Sequence, residues 1–142
     1  MRKSWDHYFI DMARMVATRA TCPRRQVGAV IVRAKRTIAS GYNGSVAGDV
    51  HCDEAGCKIV DDHCIRAIHA ESNAILQCAR FGVSTEGASL YVTHFPCLQC
   101  SKQIIQAGIS KVIYAEEYRM DDYALELFAQ ASIGVVHLGL TS

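Results

Sequence analysis

The sequence predicts an α/β domain in which a mixed sheet is covered by helices. Three observations carry that prediction. From residue 69 onward, helical and extended patterns alternate as α-β-α-β-α-β. Ahead of them, residues 27–41 read as a hairpin, with β-branched runs flanking the charged turn Ala34-Lys35-Arg36. No repeat, low-complexity tract or linker divides residues 1–142, so a single domain is expected.

Each element has its own justification. Trp5, Phe9, Met12, Ala13, Val16, Ala17 and Ala20 recur every three or four residues, marking an amphipathic first helix ended by Pro23. Residues 27–33 and 37–41 make the hairpin. It leads into Gly41-Tyr42-Asn43-Gly44, whose glycines are expected to supply positive φ and close backbone approach. Residues from about 45 to 66 are polar and dense in Cys, His and Asp, the composition of an insertion or a site. A buried helix follows over 69–80, stopped near Gly82. Residues 88–93 read as a strand, 97–107 as a helix ended by Gly108, and 111–115 as another strand. Residues 121–131 form an amphipathic helix whose early acidic residues match the helix dipole, and 135–138 a last strand.

Composition narrows the function. Half of the residues are hydrophobic, 20% are charged and the formal net charge is +1. That balance offers no broad basic face, so stable nucleic-acid binding is not expected. No apolar run approaches the roughly 20 residues that span a bilayer, and the polar opening residues lack the apolar core of an export signal. The expectation is a soluble cytoplasmic protein. Seven cysteines, an odd count that includes a Cys-x-x-Cys, favour metal over disulfides in that compartment.

His69-Ala70-Glu71 and Pro96-Cys97-Leu98-Gln99-Cys100 are the most informative segments. Imidazole and two thiolates suit tetrahedral zinc, and stopping at three protein ligands leaves a fourth position for water. A structural site would use four ligands and have no need of Glu71. Cys97 and Cys100 share one face of a helix's opening turn, whose positive end favours thiolates. Such a site makes hydroxide available near pH 7, and Glu71 is placed to move protons. Hydrolytic removal of an exocyclic amine from a nucleobase needs both, and H-x-E…P-C-x-x-C is the pattern of zinc nucleobase deaminases.

Beyond these motifs, Val27-Gly28-Ala29-Val30, Gly41–Gly44, the run from His69 to Ile75, Tyr91-Val92-Thr93, Phe95-Pro96-Cys97 and the run from Ile104 to Gly108 occur together and in order. Over roughly residues 4–138 the chain resembles the deoxycytidylate (dCMP) deaminase family of the cytidine deaminase-like superfamily. The resemblance implies a three-layer α/β/α sandwich around a five-stranded mixed sheet, assembled as a homohexamer. It implies zinc held by His69, Cys97 and Cys100, Glu71 as proton shuttle, and Asn43 against the sugar or base. Arg24 and Arg119 match the phosphate side, with Arg25 an immediate competitor for Arg24, and Tyr118 matches an aromatic closing over the nucleotide. The reaction implied is dCMP to dUMP and ammonia, supplying thymidylate synthesis. Family members respond to dCTP as activator and dTTP as inhibitor through the loop that here contains Gly44, Ser45 and Gly48. Mg²⁺ would accompany such a triphosphate.

A second zinc is expected in the Cys-rich stretch. Cys52-x₄-Cys57-x₅-His63 resembles a closed structural site, with Cys22 as fourth ligand and Cys64 and His51 in reserve. Some family members carry a second zinc there. Cys78, on an apolar helix face, reads as core. Rival readings are a deaminase of a free nucleoside, a free base or a tRNA base, and, from a different class, a zinc-stabilised non-catalytic module in competence.

Overall fold

The computed structural model describes residues 1–139. Helix α1 (Trp5–Ala17) is capped by the Ser4 side chain, which accepts the His7 N–H. It ends well before Pro23, because the Thr18 hydroxyl donates to the Met15 carbonyl at 2.6 Å and closes the last turn. Strands β1 (Gly28–Arg33) and β2 (Arg36–Tyr42) meet at Ala34 and Lys35, both left-handed (φ 52° and 59°), the conformation of a tight two-residue hairpin turn.

The stretch expected as an irregular insertion holds short elements: β3 (Gly44–Ser45), α2 (Cys52–Ala55), β4 (Ile59–Val60), β5 (His63–Cys64) and β6 (Ala67–Ile68). β3 pairs with β6 and β4 with β5. Two-residue strands are too short to show an alternating pattern, so the sequence carries no sign of them. Then come α3 (Ala70–Phe81), β7 (Ser89–His94), α4 (Leu98–Gln106), β8 (Lys111–Glu116), α5 (Asp122–Gln130) and β9 (Gly134–His137). Gly82 and Gly108 take the left-handed conformations that end α3 and α4 (φ 69° and 81°), which only glycine adopts without strain.

The main sheet has five strands in the order β2-β1-β7-β8-β9. β1 runs antiparallel to both neighbours, whereas β7, β8 and β9 are parallel, linked through α4 and α5. The alternation of each strand divides the core. Val30, Val32, Tyr91 and Ile113 face α1 with Phe9, Ile10 and Ala13. Ala29, Ile31, Leu90, Val92 and Val112 face α3, α4 and α5, meeting Ala74, Ile104 and Phe128. The result is the three-layer α/β/α sandwich on a mixed five-stranded sheet. No helix among the described residues is long and apolar enough to cross a membrane.

Two glycines set the helix distances. A methyl group on Gly28 would fall 2.0 Å from the Ala13 carbonyl oxygen, and one on Gly41 2.4 Å from that of Ala70. Close approach is therefore the reason for glycine in Gly41–Gly44; the positive φ expected there is absent, because Gly41 lies inside β2 and Gly44 inside β3. Gly41→Ala should cost about 3 kcal/mol. Thermal unfolding should show it as a fall in Tm on the order of 10 °C.

Candidate active site

His69 and Cys97 occupy equivalent positions, each the residue that caps a helix, α3 and α4 respectively. A capping residue has extended backbone and can turn its side chain over the first turn. Cys97 does so, its sulfur accepting the Cys100 N–H at 3.4 Å. His69 Nδ1 lies 3.5 Å from Cys97 Sγ and 3.3 Å from Cys100 Sγ. Tetrahedral zinc with ordinary Zn–N and Zn–S bonds sets such an edge at about 3.6 Å, so one imidazole and two sulfurs fit the ion. The three groups already share protons. The Cys100 thiol draws Cys97 down to about 4 with help from His69, while Cys100 itself is pushed well up by Cys97 and by burial. The Cys97 sulfur raises His69 above the ordinary histidine value. A divalent cation would displace these protons.

Glu71, in the first turn of α3, is only 5% exposed. Burial pushes its carboxyl up to about 7, against hydrogen bonding by its own backbone and the charge of His69. A carboxyl poised near neutrality both takes and gives a proton readily. It lines, with His69 and Cys97, a cleft of about 440 Å³.

Cationic and aromatic side chains also line that cleft. The Tyr118 ring is covered by the Arg25 guanidinium, 3.0 Å from its centroid, and Arg119 stands 5.1 Å away. The His94 ring meets Tyr118 edge-on. His94 in turn contacts Glu116 at 2.9 Å and Thr93 Oγ1 at 2.8 Å. Burial lowers the His94 pKa and Arg25 adds to this, against the pull of Glu116. Arg24 also lines the cleft, reaching Asp62 at 4.0 Å. Asn43 is 8% exposed. Its Oδ1 accepts the Val27 N–H at 2.8 Å and its Nδ2 donates to the Arg25 carbonyl at 2.7 Å, which fixes the segment bearing both arginines. Arg25, named from the sequence only as a competitor for Arg24, is the arginine on the Tyr118 ring, and His94 is a cleft residue that sequence reasoning leaves aside. A histidine ending a parallel strand is the available signal, since clefts form at those strand ends.

The Cys-rich stretch forms a second cluster. The sulfurs of Cys52, Cys57 and Cys64 lie within 4.8 Å of one another, with Cys52 and Cys64 3.6 Å apart. Burial and its cysteine neighbours drive Cys52 up to about 12. Cys64 is itself opposed by burial but brought down to about 7 by backbone N–H groups, Arg66 foremost. Cys64, held in reserve on spacing, belongs to this cluster through the β4–β5 pairing. Cys22 is not one of the trio, although its charge raises Cys57 after burial has done so. The His63 side chain lies outside the described residues. His51 has its Nδ1 buried without a hydrogen-bond partner. Gly44, Ser45 and Gly48 do not line the cleft, but Gly44 pairs with Ile68, the residue before His69. Cys78 is core, as expected, and all seven cysteines are free thiols.

The model of the cytidine and deoxycytidylate deaminase zinc-binding region matches residues 3–116. ComE operon protein 2 of Bacillus subtilis (strain 168) is 60% identical over 139 residues, covering 98% of this chain and 74% of that protein. The deoxycytidylate deaminase of Saccharomyces cerevisiae is 42% identical over 147 residues, 99% of this chain and 47% of the yeast protein. The chain thus spans about three-quarters of the first relative and under half of the second. Among solved structures, the cyanophage S-TIM5 dCMP deaminase in complex with dCMP and dUMP superimposes with a TM-score of 0.85 at 32% identity. That match covers 97% of this chain and 99% of the phage one.

Proposed function

The chain belongs to the cytidine and deoxycytidylate deaminase family, and from that premise we propose that it hydrolyses dCMP to dUMP and ammonia. The carrying observation is one cleft lined both by His69, Cys97 and the buried Glu71 and by Arg24, Arg25, Arg119 and Tyr118. A nucleoside 5′-phosphate offers the complementary groups, an amine to remove and a dianion to bind. Guanidinium groups suit phosphate oxygens, and the Tyr118 ring offers a face to stack on.

His69, Cys97 and Cys100 would hold zinc, which when bound supplies the Lewis acidity that makes water nucleophilic near neutral pH. Glu71 takes a proton from the attacking water and delivers it to ring N3 as C4 becomes tetrahedral. It then takes the remaining proton of the new C4 hydroxyl and passes it to the departing amine as the C4 carbonyl forms. Asn43 keeps the Arg24–Arg25 segment in register and faces the sugar or base with its remaining hydrogen-bonding capacity. Arg24, Arg25 and Arg119 bind the phosphate, and the product feeds thymidylate synthesis.

Cys52, Cys57 and Cys64, with Cys22 or His63 completing the set, hold a second, structural zinc under this reading, which supports an otherwise thinly packed stretch. The Asp49–Arg66 ion pair (3.2 Å) and the β3–β6 ladder tie residues 44–49 to the residue preceding His69. That connection supports control by dCTP and dTTP at Gly44, Ser45 and Gly48, with Mg²⁺ on the triphosphate, in a cytoplasmic homohexamer.

The deciding assay is ammonia release from dCMP and from deoxycytidine, side by side, with and without dCTP. The expected result is strong preference for dCMP; equal use of deoxycytidine would move the chain to the free-nucleoside branch. Arg119→Ala should raise KM for dCMP by roughly 10- to 100-fold while leaving deoxycytidine turnover unchanged, the loss expected for one charge-assisted phosphate contact.

A further inference from the structure

Cys100 is the more deeply buried thiol of the His69–Cys97–Cys100 cluster, 1% exposed, and a buried anionic sulfur needs hydrogen-bond donors. Cys97 receives one from the backbone, the Cys100 N–H. For Cys100 the nearby donor is a side chain. The Ser72 hydroxyl lies 3.6 Å from Cys100 Sγ, and the same hydroxyl donates to Gln103 Oε1. Ser72 follows Glu71 in the opening turn of α3, and Gln103 stands three residues beyond Cys100 on α4. The bridge therefore joins the two helices that present the ligands.

A hydroxyl has one proton to donate, and a metal-bound thiolate only accepts. Facing such a sulfur, Ser72 gives its proton to Cys100. Gln103 then supports the Ser72 oxygen from behind through Nε2–H. The two ends of a carboxamide are nearly equal in shape, so this needs only that the amide present nitrogen rather than oxygen. Hydrogen bonds arranged in series strengthen one another.

We infer that Ser72 and Gln103 are positioning residues, a hydrogen-bonded relay that orients the Cys100 ligand and draws electron density from its sulfur. The inference rests on His69, Cys97 and Cys100 being the ligand set. Density held in the hydrogen bond is not donated to the ion, so the relay keeps the ion more electron-poor and the thiolate fixed.

The test uses the full-length protein loaded with Co²⁺ as a spectroscopic probe and, separately, with Zn²⁺ against a competing chelator. Subtracting the Cys97→Ser spectrum removes any contribution from Cys52, Cys57 and Cys64. In Ser72→Ala the sulfur-to-cobalt charge-transfer band should move to longer wavelength, because a sulfur without its donor gives up electrons more easily. Zinc affinity should fall by roughly tenfold or more. Ser72→Thr, which keeps the hydroxyl, should hold the band at its wild-type position, and Gln103→Leu should move it less but in the same direction. An unmoved band in Ser72→Ala, beside a normal wild-type band, overturns the relay alone. A wild-type protein without the band overturns the ligand set, and the relay with it.

Discussion

Glu71→Gln should leave the protein folded and loaded with zinc while turnover of dCMP falls by roughly 10³- to 10⁴-fold, the range that positioned proton transfer contributes. Glutamine fills the same volume and preserves packing at a site that is only 5% exposed. It cannot carry a proton between water, ring nitrogen and amine. The substitution also replaces a carboxyl that burial holds up at about 7 with a neutral amide, so thermal stability should be unchanged or slightly higher. Metal analysis, a melting curve and kcat measured on one preparation separate these effects. Near-native turnover in the zinc-loaded Glu71→Gln protein would remove Glu71 from the proton path.

Cys97→Ser should abolish turnover by a different route, through loss of the metal. His69 and Cys97 cap α3 and α4, so an ion held between them would staple the starts of two helices. At a thousandfold excess over its Kd, zinc stabilises the folded chain by about 4 kcal/mol. Its removal should lower Tm on the order of 10 °C. Chelation of the wild-type protein should give at least that fall, since it would also strip the Cys52–Cys57–Cys64 cluster, and Glu71→Gln should retain the zinc-dependent increment. A Cys97→Ser protein that keeps full zinc at this site and a wild-type Tm would show that Cys97 is not a ligand.

Much of the architecture is legible in the sequence because its signals are local. The three- and four-residue spacing of Trp5, Phe9, Met12 and Val16 marks α1 whatever packs on it, and the glycines at 82 and 108 end α3 and α4. The apolar pattern runs on to Ala20 and so places the end of α1 too late, whereas the Thr18 hydroxyl closes the helix. The small ladders β3–β6 and β4–β5 leave no local trace, since pairs of two-residue strands depend on partners rather than on any run of sequence. Of the two roles the sequence offers Gly41, positive φ and close backbone approach, only the second holds, and it is the backbone of α3 lying against β2 that requires it.

By itself the sequence determined the imidazole, carboxyl and thiol groups of His69-Ala70-Glu71 and Pro96-Cys97-Leu98-Gln99-Cys100 on which the proposed roles rest, their helix-start setting, and an α/β alternation around them. Those are properties of residue chemistry and of one or two turns of backbone. Tertiary structure alone decided which distant groups meet. It set Arg25 rather than Arg24 on the Tyr118 ring, brought Cys64 to Cys52 and Cys57, turned the Asn43 amide onto the arginine segment, and laid Ser72 and Gln103 beside Cys100. The physical reason is range. Helix caps and periodicity are fixed within a few residues, whereas these contacts follow from strand register and from how closely α3 and α4 seat on the sheet.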